Sequence, residues 1–400
     1  MWSTLDPAPR EAPGVGPRLG PSRLRPQRTR RTLVTLFPAA PPQERSTRGQ
    51  LVGQVLILAA VLATLLLAIS PSPYVVERPG PVYDTLGTTD VDGDEVPVID
   101  ISGAETYPTD GRLDLLTVYL DGSPDHPLDW FDVIAAWFDP RKAVLPVESV
   151  FPAGQTQEES DAQSALDMQQ SQQTATAAAL TELGIDFDSV VTVGAVSEGA
   201  PADGVLEEGD ELLTVGGTAV STDAGLRAAV QAGGVGEPLE LGIRRDGVEQ
   251  AVTLVPVERS AGDPTPIIGV VPAIEYDFPF DVDIRLQDVG GPSAGMMFAL
   301  AIADKLTPGA ITGGEHVAGT GTIAADGAVG AIGGIRQKMI GARDAGADWF
   351  LAPEANCDAV VGHIPDGLTV FAVSTLAEAT DVVTAIGDGA STAGFAGCSP

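Results

Sequence analysis

The sequence predicts an α+β multidomain chain: a single transmembrane helix, a small β-rich module and an α/β domain. Three observations carry that reading. Leu51 to Ile69 is a run of nineteen residues without a charge. Residues 184–260 break into short β-like runs around one helical stretch. From about residue 264 onward an apolar helix, a strand pair and a second helix follow one another.

Four hundred residues leave room for two or three compact domains. Residues 1–50, rich in Pro, Gly, Ser and Arg, read as a disordered tail. Nine arginines against Asp6, Glu11 and Glu44 give this tail a charge of +6. Residues 51–70 follow as the apolar helix, about 28 Å long, enough to span a bilayer's hydrocarbon core. A signal peptide cleaved near Ala68-Ile69-Ser70 is the rival reading, although the apolar core and the basic leader are both too long for one. The arginines precede the span, which places the tail in the cytoplasm and everything from about residue 71 outside, as a single-pass cell-membrane protein. The chain carries −33 overall, so the part beyond the tail carries −39. That acidity excludes nucleic acid as a partner, because it repels phosphate.

Residues 71–150 read as an external β-rich segment with strands at Val96–Ile101, Leu113–Leu120 and Ala143–Phe151. Trp130, Phe131, Trp137 and Phe138 sit in an apolar stretch that reads as packed core in preference to a membrane-proximal surface. Residues 151–183 are helical by propensity. The 184–260 module has strands at Val190–Val196, Glu211–Val215, Leu239–Arg245 and Glu249–Val255, with a helix at Asp223–Gln231. Cys357 and Cys398 both fall in the outer part, where a disulfide is chemically allowed. A Cys357–Cys398 bond would pin the loose 389–400 tail to the 264–388 domain; two free thiols are the alternative. His126, His316 and His363 fall into no ligand spacing, so neither a metal site nor a cofactor is expected.

The chemistry concentrates in two segments. Ser293 lies in Gly290-Gly291-Pro292-Ser293-Ala294-Gly295, a glycine-rich turn at the mouth of the apolar helix Met296–Leu306. Lys338 lies among Ile332, Ile335, Met339 and Ile340. A hydroxyl becomes a good nucleophile when a nearby base takes its proton. A lysine can be that base only when neutral, and apolar burial lowers its pKa from about 10.4 towards about 7–8. The chain has three lysines, Lys142, Lys305 and Lys338, against 19 arginines, so a lysine at 338 leans towards chemistry. Taken alone, the serine turn also reads as a helix cap or anion nest, and the lysine as a solvated helix residue. The order, the spacing and a strand pair between them, Val317 to Val329 with a turn at Asp326-Gly327, favour the chemical reading.

The region from about Ile267 to Ile386 resembles the proteolytic domain of Lon-type serine peptidases, which use a Ser–Lys dyad. The resemblance rests on GGPSAG around Ser293, the strand pair around Thr320, the Ile332-Gly333-Gly334-Ile335 run to Lys338, Ala342 to Ala347, and Val373 to Glu378 with a serine placed to cap the last helix. It implies Ser293 as nucleophile, Lys338 as general base and Thr320 as the residue that holds the lysine amine. Many Lon peptidases carry an aspartate just before Gly-Pro-Ser; this chain has glycine there, with Asp288 further upstream. No GxxxxGK[ST] phosphate loop is present, so ATP-driven unfolding of substrates is not expected.

Gly199 to Leu212 and Val215 to Val220 resemble the signature of bacterial PDZ domains, which bind a peptide end as an added strand. That resemblance implies Val191, Thr192 and Val193 as the strand beside the peptide, with Leu226 and Val230 facing the groove. The usual glycine-containing carboxylate loop is replaced by Asp188-Ser189-Val190-Val191, so a module serving as spacer or gate stays open. Pro73 to Gly87 resembles the segment just outside the membrane in anchored Lon-like proteins of Gram-positive envelopes. The expected function is an ATP-independent, membrane-anchored serine endopeptidase acting on unfolded or membrane-associated polypeptides outside the cytoplasm. The alternative is a catalytically silent PDZ-type adaptor with a peptidase-like scaffold. Lon relatives form rings, so a homo-oligomer is admitted.

Overall fold

The computed structural model describes residues 48–91, 93–152, 154–260, 262–286 and 289–398. The disordered tail expected over 1–50 therefore lies outside the described residues except for 48–50, which are helical. Helix α1 (Arg48–Ile69) has no buried residue over its apolar window Arg48–Leu67 and is long and apolar enough to cross a membrane. A core helix of a soluble domain would hide such a surface.

After α1 come strand β1 (Tyr74–Asp84), hairpin β2 (Thr88–Val91) and β3 (Asp94–Pro97), and β4 (Ile99–Ser102). Strand β5 (Arg112–Asp121), helix α2 (Trp130–Trp137), strand β6 (Ala143–Pro146) and helix α3 (Gln157–Glu182) follow. Thr156 starts α3 through a reciprocal capping box with Glu159, which satisfies two otherwise orphaned backbone N–H groups.

The middle of the chain is β7 (Asp188–Val196), β8 (Glu211–Val215), β9 (Thr218–Ala219), α4 (Asp223–Gly233), β10 (Leu239–Arg245) and β11 (Val248–Leu254). Hairpin β12 (Val257–Ser260) and β13 (Asp263–Ile267) leads into β14 (Val270–Asp277). The sheet runs β11-β10-β8-β7-β14, with α4 closing a core of Val191, Leu212, Leu226, Val230, Leu241 and Ile243. The module thus takes its edge strand from residues 270–277, beyond the expected boundary at 260.

The rest is β15 (Asp281–Ile284), α5 (Gly295–Leu306), β16 (His316–Gly319), β17 (Thr322–Ile323), β18 (Val329–Gly330) and α6 (Ile335–Ala345). Strand β19 (Trp349–Pro353), the short α7 (Cys357–Val360), β20 (Thr369–Val373) and α8 (Leu376–Gly387) close the chain. Thr375, not the expected Ser374, caps α8 by accepting from the Glu378 N–H; Ser374 instead donates to the Glu378 carboxylate.

The main sheet has the order β20-β19-β16-β5-β1-β6. Half of it comes from residues 71–150, so that stretch is not a separate external segment from the expected 264–388 domain. The reason is burial: α5 is apolar on all sides, and Met296 to Ile302 are fully buried. A helix of that kind needs cover all round. Strand β5, helices α3 and α8 and strand β16 supply side chains to that core. Cys357 and Cys398 are disulfide-bonded, tying the C-terminal segment to α7.

Candidate active site

Each of the three predicted residues comes from a different element. Ser293 precedes α5 by two residues. Its carbonyl accepts from the Gly321 N–H (2.9 Å) and from the Thr320 hydroxyl (2.9 Å), which locks the turn to the segment between β16 and β17. Lys338 lies one turn into α6. Gly334 starts that helix in a left-handed conformation (φ 68°) that side chains rarely adopt. A Cβ at 334 would also come within 2.5 Å of the Glu77 carboxylate.

The structure brings the three side chains together. Lys338 Nζ lies 2.7 Å from Ser293 Oγ and 3.0 Å from Thr320 Oγ1. Thr320 is fully buried, Lys338 is 2% exposed and Ser293 is half-buried. The Thr320 proton goes to the Ser293 carbonyl, so its oxygen is left to accept from the lysine amine. That arrangement turns another face of the amine to Ser293 Oγ.

Burial lowers the Lys338 pKa to about 8, and the nearby Glu77 carboxylate acts the other way. Glu77, on β1, is itself buried, and desolvation pushes its pKa up. The sequence reading missed Glu77. Its only local signal is a single carboxylate in the apolar run Tyr74-Val75-Val76-Glu77, and its proximity to Lys338 depends on β1 lying under α6. Asp288 lies outside the described residues.

A cleft of about 290 Å³ opens over the cluster, lined by Leu115 to Tyr119, Met168, Val289, Gly290, Ser293 and Lys338. Strand β16 pairs with β5 only through Leu115, while β5 runs on to Asp121, so the stretch along the cleft has no strand partner on that side among the described residues. Helix α3 buttresses the serine turn: the Gly291 N–H donates to the Ser164 carbonyl (2.8 Å), and the Ser171 hydroxyl to the Pro292 carbonyl (3.1 Å).

The expected peptide-binding strand needs correction. Val191, Thr192 and Val193 on β7 pair with β14 on one edge, and β7 pairs with β8 on the other. Among the described residues, Val191 to Val193 are thus hydrogen-bonded on both sides and leave no edge for a peptide there. In this sheet β14 is an outer strand among the described residues, as β11 is at the other end, and a groove of about 330 Å³ lies between the start of β14 and α4. Leu226 and Val230 do line this groove, opposite Ile267, Ile268, Gly269 and Val270. Gly269 (φ 76°) turns where a Cβ would lie 2.1 Å from Ala200 Cβ, so only glycine fits. A glycine-containing turn thus stands at 267–270, after the module's other strands and at the start of β14. The signal was an apolar-Gly-apolar run in front of a β-like stretch.

Fold and site together define a class: an α/β domain with a buried Ser–Lys–Thr cluster, joined to a β module with a groove at its edge strand. Residues 287–385 match the family model of the Lon protease (S16) C-terminal proteolytic domain, and residues 167–255 that of the PDZ domain. The chain carries both domains. It is 29% identical over 181 residues to Lon protease of Buchnera aphidicola subsp. Schizaphis graminum, covering 43% of this chain and 21% of that protein. It is 37% identical over 93 residues to Lon protease of Clostridioides difficile, covering 23% and 11%. With Lon protease 1 of Bacillus subtilis it shares 34% over 114 residues, covering 26% and 14%. The chain thus spans about a fifth or less of the length of these relatives. Among solved structures it is similar to the PDZ domain of an SdrC-like protein from Listeria innocua, 20% identical over 21% of this chain and 93% of that one, with a TM-score of 0.20. The Lon match begins after β1 and β5, and the PDZ match ends before β14, so each domain completes itself with strands outside its own match.

Proposed function

We propose that this protein is an ATP-independent serine endopeptidase, anchored in the membrane by α1, that cuts unfolded or membrane-associated polypeptides outside the cytoplasm. The observation that carries the proposal is the 2.7 Å approach of Lys338 Nζ to Ser293 Oγ in a buried setting. A substrate strand adds to the unpartnered edge of β5, where its scissile carbonyl meets Ser293 Oγ. Neutral Lys338 takes the serine proton as the oxygen attacks and returns it to the leaving amine, leaving an acyl-enzyme that water then hydrolyses. Backbone N–H groups around Ser293, at the N-terminus of α5, meet the oxyanion. Thr320 holds the amine in position.

This sequence contains no GxxxxGK[ST] run, so the proposed cleavage is tested without ATP. The outside location is supported by the arginines that precede α1 and by the Cys357–Cys398 bond. The PDZ groove along β14 takes the substrate's end, with the 267–270 loop meeting its carboxylate. The test is full-length protein in nanodiscs, incubated without ATP on reduced casein beside Ser293→Ala and Lys338→Ala, with new peptide ends counted by mass spectrometry. Cleavage lost in both variants is the expected result. Silence of the wild type overturns the reading in favour of a PDZ-type adaptor.

A further inference from the structure

Helix α2 is apolar on every side apart from Asp132. Val133 and Ala136 are buried, and the Trp130 ring meets Tyr74 edge-on at 5.9 Å. On the other side Phe131, Ile134 and Phe138 stand at i, i+3 and i+7, bordered by Trp137. These four are 48%, 37%, 84% and 56% exposed. The expectation of packed core fails for this face. An apolar helix normally finds cover for such a surface, and a contiguous exposed patch marks an interaction site.

Chain connectivity identifies the cover. Helix α1 ends at Ile69. Pro71 bridges to Asp129, the residue that caps α2, and the Ser72 N–H donates to the Leu128 carbonyl (3.0 Å). Tyr74 then packs against both Trp130 and Trp137. The patch is fastened to the chain within five residues of the end of the apolar span, a reach of at most about 18 Å. Tryptophan and other aromatic residues concentrate at the level of the lipid headgroups.

We propose that the Phe131, Ile134, Trp137 and Phe138 face docks on the headgroup–acyl boundary of the same bilayer that α1 spans. This rests on the anchored reading above. The nearby charges do not favour anionic lipid. Asp129 caps α2, Asp139 accepts from the Arg141 N–H and Asp132 is exposed, three carboxylates against Lys142 and against Arg141, which is paired with Asp344. Apolar area drives the docking, so it holds on a zwitterionic surface.

The test uses the full chain with Trp2→Phe in phosphatidylcholine nanodiscs, with plain or acyl-brominated lipid, read by tryptophan fluorescence. The expected result is loss of about a third of the emission in brominated lipid, one tryptophan of the remaining three lying at the interface. Trp137→Phe removes that loss. Phe138→Ser, at a site too exposed to threaten folding, reduces it and shifts the emission to the red. A chain that enters the nanodisc but is quenched no more by brominated than by plain lipid overturns the proposal while leaving the anchor intact. A chain that stays outside the nanodisc overturns both. Unquenched emission together with Phe138→Ser dispersing oligomers would assign the face to a second copy instead.

Discussion

Thr320 stands between Lys338 and the backbone of Ser293: its hydroxyl lies 3.0 Å from the lysine amine and donates to the serine's own carbonyl at 2.9 Å. One buried hydroxyl therefore holds both ends of the proposed nucleophile–base pair. Thr320→Val keeps the shape and removes both bonds. The expected outcome is a fall in kcat of about 10- to 100-fold with KM little changed, because the bond orients the base and not the substrate. Thr320→Ser restores most of the rate. A KM effect of equal size would instead place Thr320 in substrate binding.

The pH profile follows from the base. As the proposed base Lys338 must be neutral to act, and its pKa is lowered to about 8, so kcat/KM is expected to rise with pH through a midpoint near 8. Glu77 favours the ammonium form, so Glu77→Gln moves that midpoint down and raises activity at pH 7. A midpoint that stays put or rises shows that Glu77 does not act on the base.

Burying Lys338 also costs stability, with a definite sign. Between about 8 and 10.5 the unfolded chain binds this proton and the folded chain does not, so stability rises with pH across that window. Lys338→Met removes the cost, and at pH 7 it stabilises the protein by up to roughly 3 kcal/mol while abolishing cleavage. Thermal unfolding at pH 7 and 10 checks this: the gap between variant and wild type narrows at the higher pH.

The disulfide joins residues 41 apart. Closing a loop of that size in the unfolded chain is worth about 2–4 kcal/mol. Reduction under native conditions lowers the denaturation midpoint accordingly and opens the segment after α8 to a probe protease.

The groove assignment separates β14 from β7. A peptide with a free apolar C-terminus binds the full chain, and amidating that terminus weakens binding at least about tenfold, or 1.4 kcal/mol. Arg227→Glu, at an exposed position lining the groove, weakens binding of the acid peptide as read by fluorescence polarisation. Equal binding of acid and amide would remove the 267–270 loop from recognition.

Much of the architecture was legible as local pattern. Helix α6 was expected at Ile335–Ala345 and β8 and β10 at their observed bounds, because each carries its own periodicity and turn residues. Ser293, Thr320 and Lys338 were legible because their surrounding turns and helix starts are short and locally encoded. Val191–Val193 were misplaced because a strand's edge is decided by its neighbours, and β14 arrives from 74 positions beyond residue 196. The aromatic stretch of α2 was misjudged for a related reason. Apolar composition says that a surface avoids water, but not which apolar partner covers it.

The sequence by itself determined the apolar helix, the two domain types and the three residues of the cluster, since each is written in a contiguous run. Tertiary structure decided what those runs meet. It placed Glu77 near Lys338, put β1 and β5 under α6 and beside Ser293, and set β14 at an outer edge of the PDZ sheet. These outcomes rest on strand pairing and helix packing between segments tens to hundreds of residues apart. Such contacts are selected by the burial of the whole core, above all the need to enclose α5, and not by any signal carried in the segments themselves.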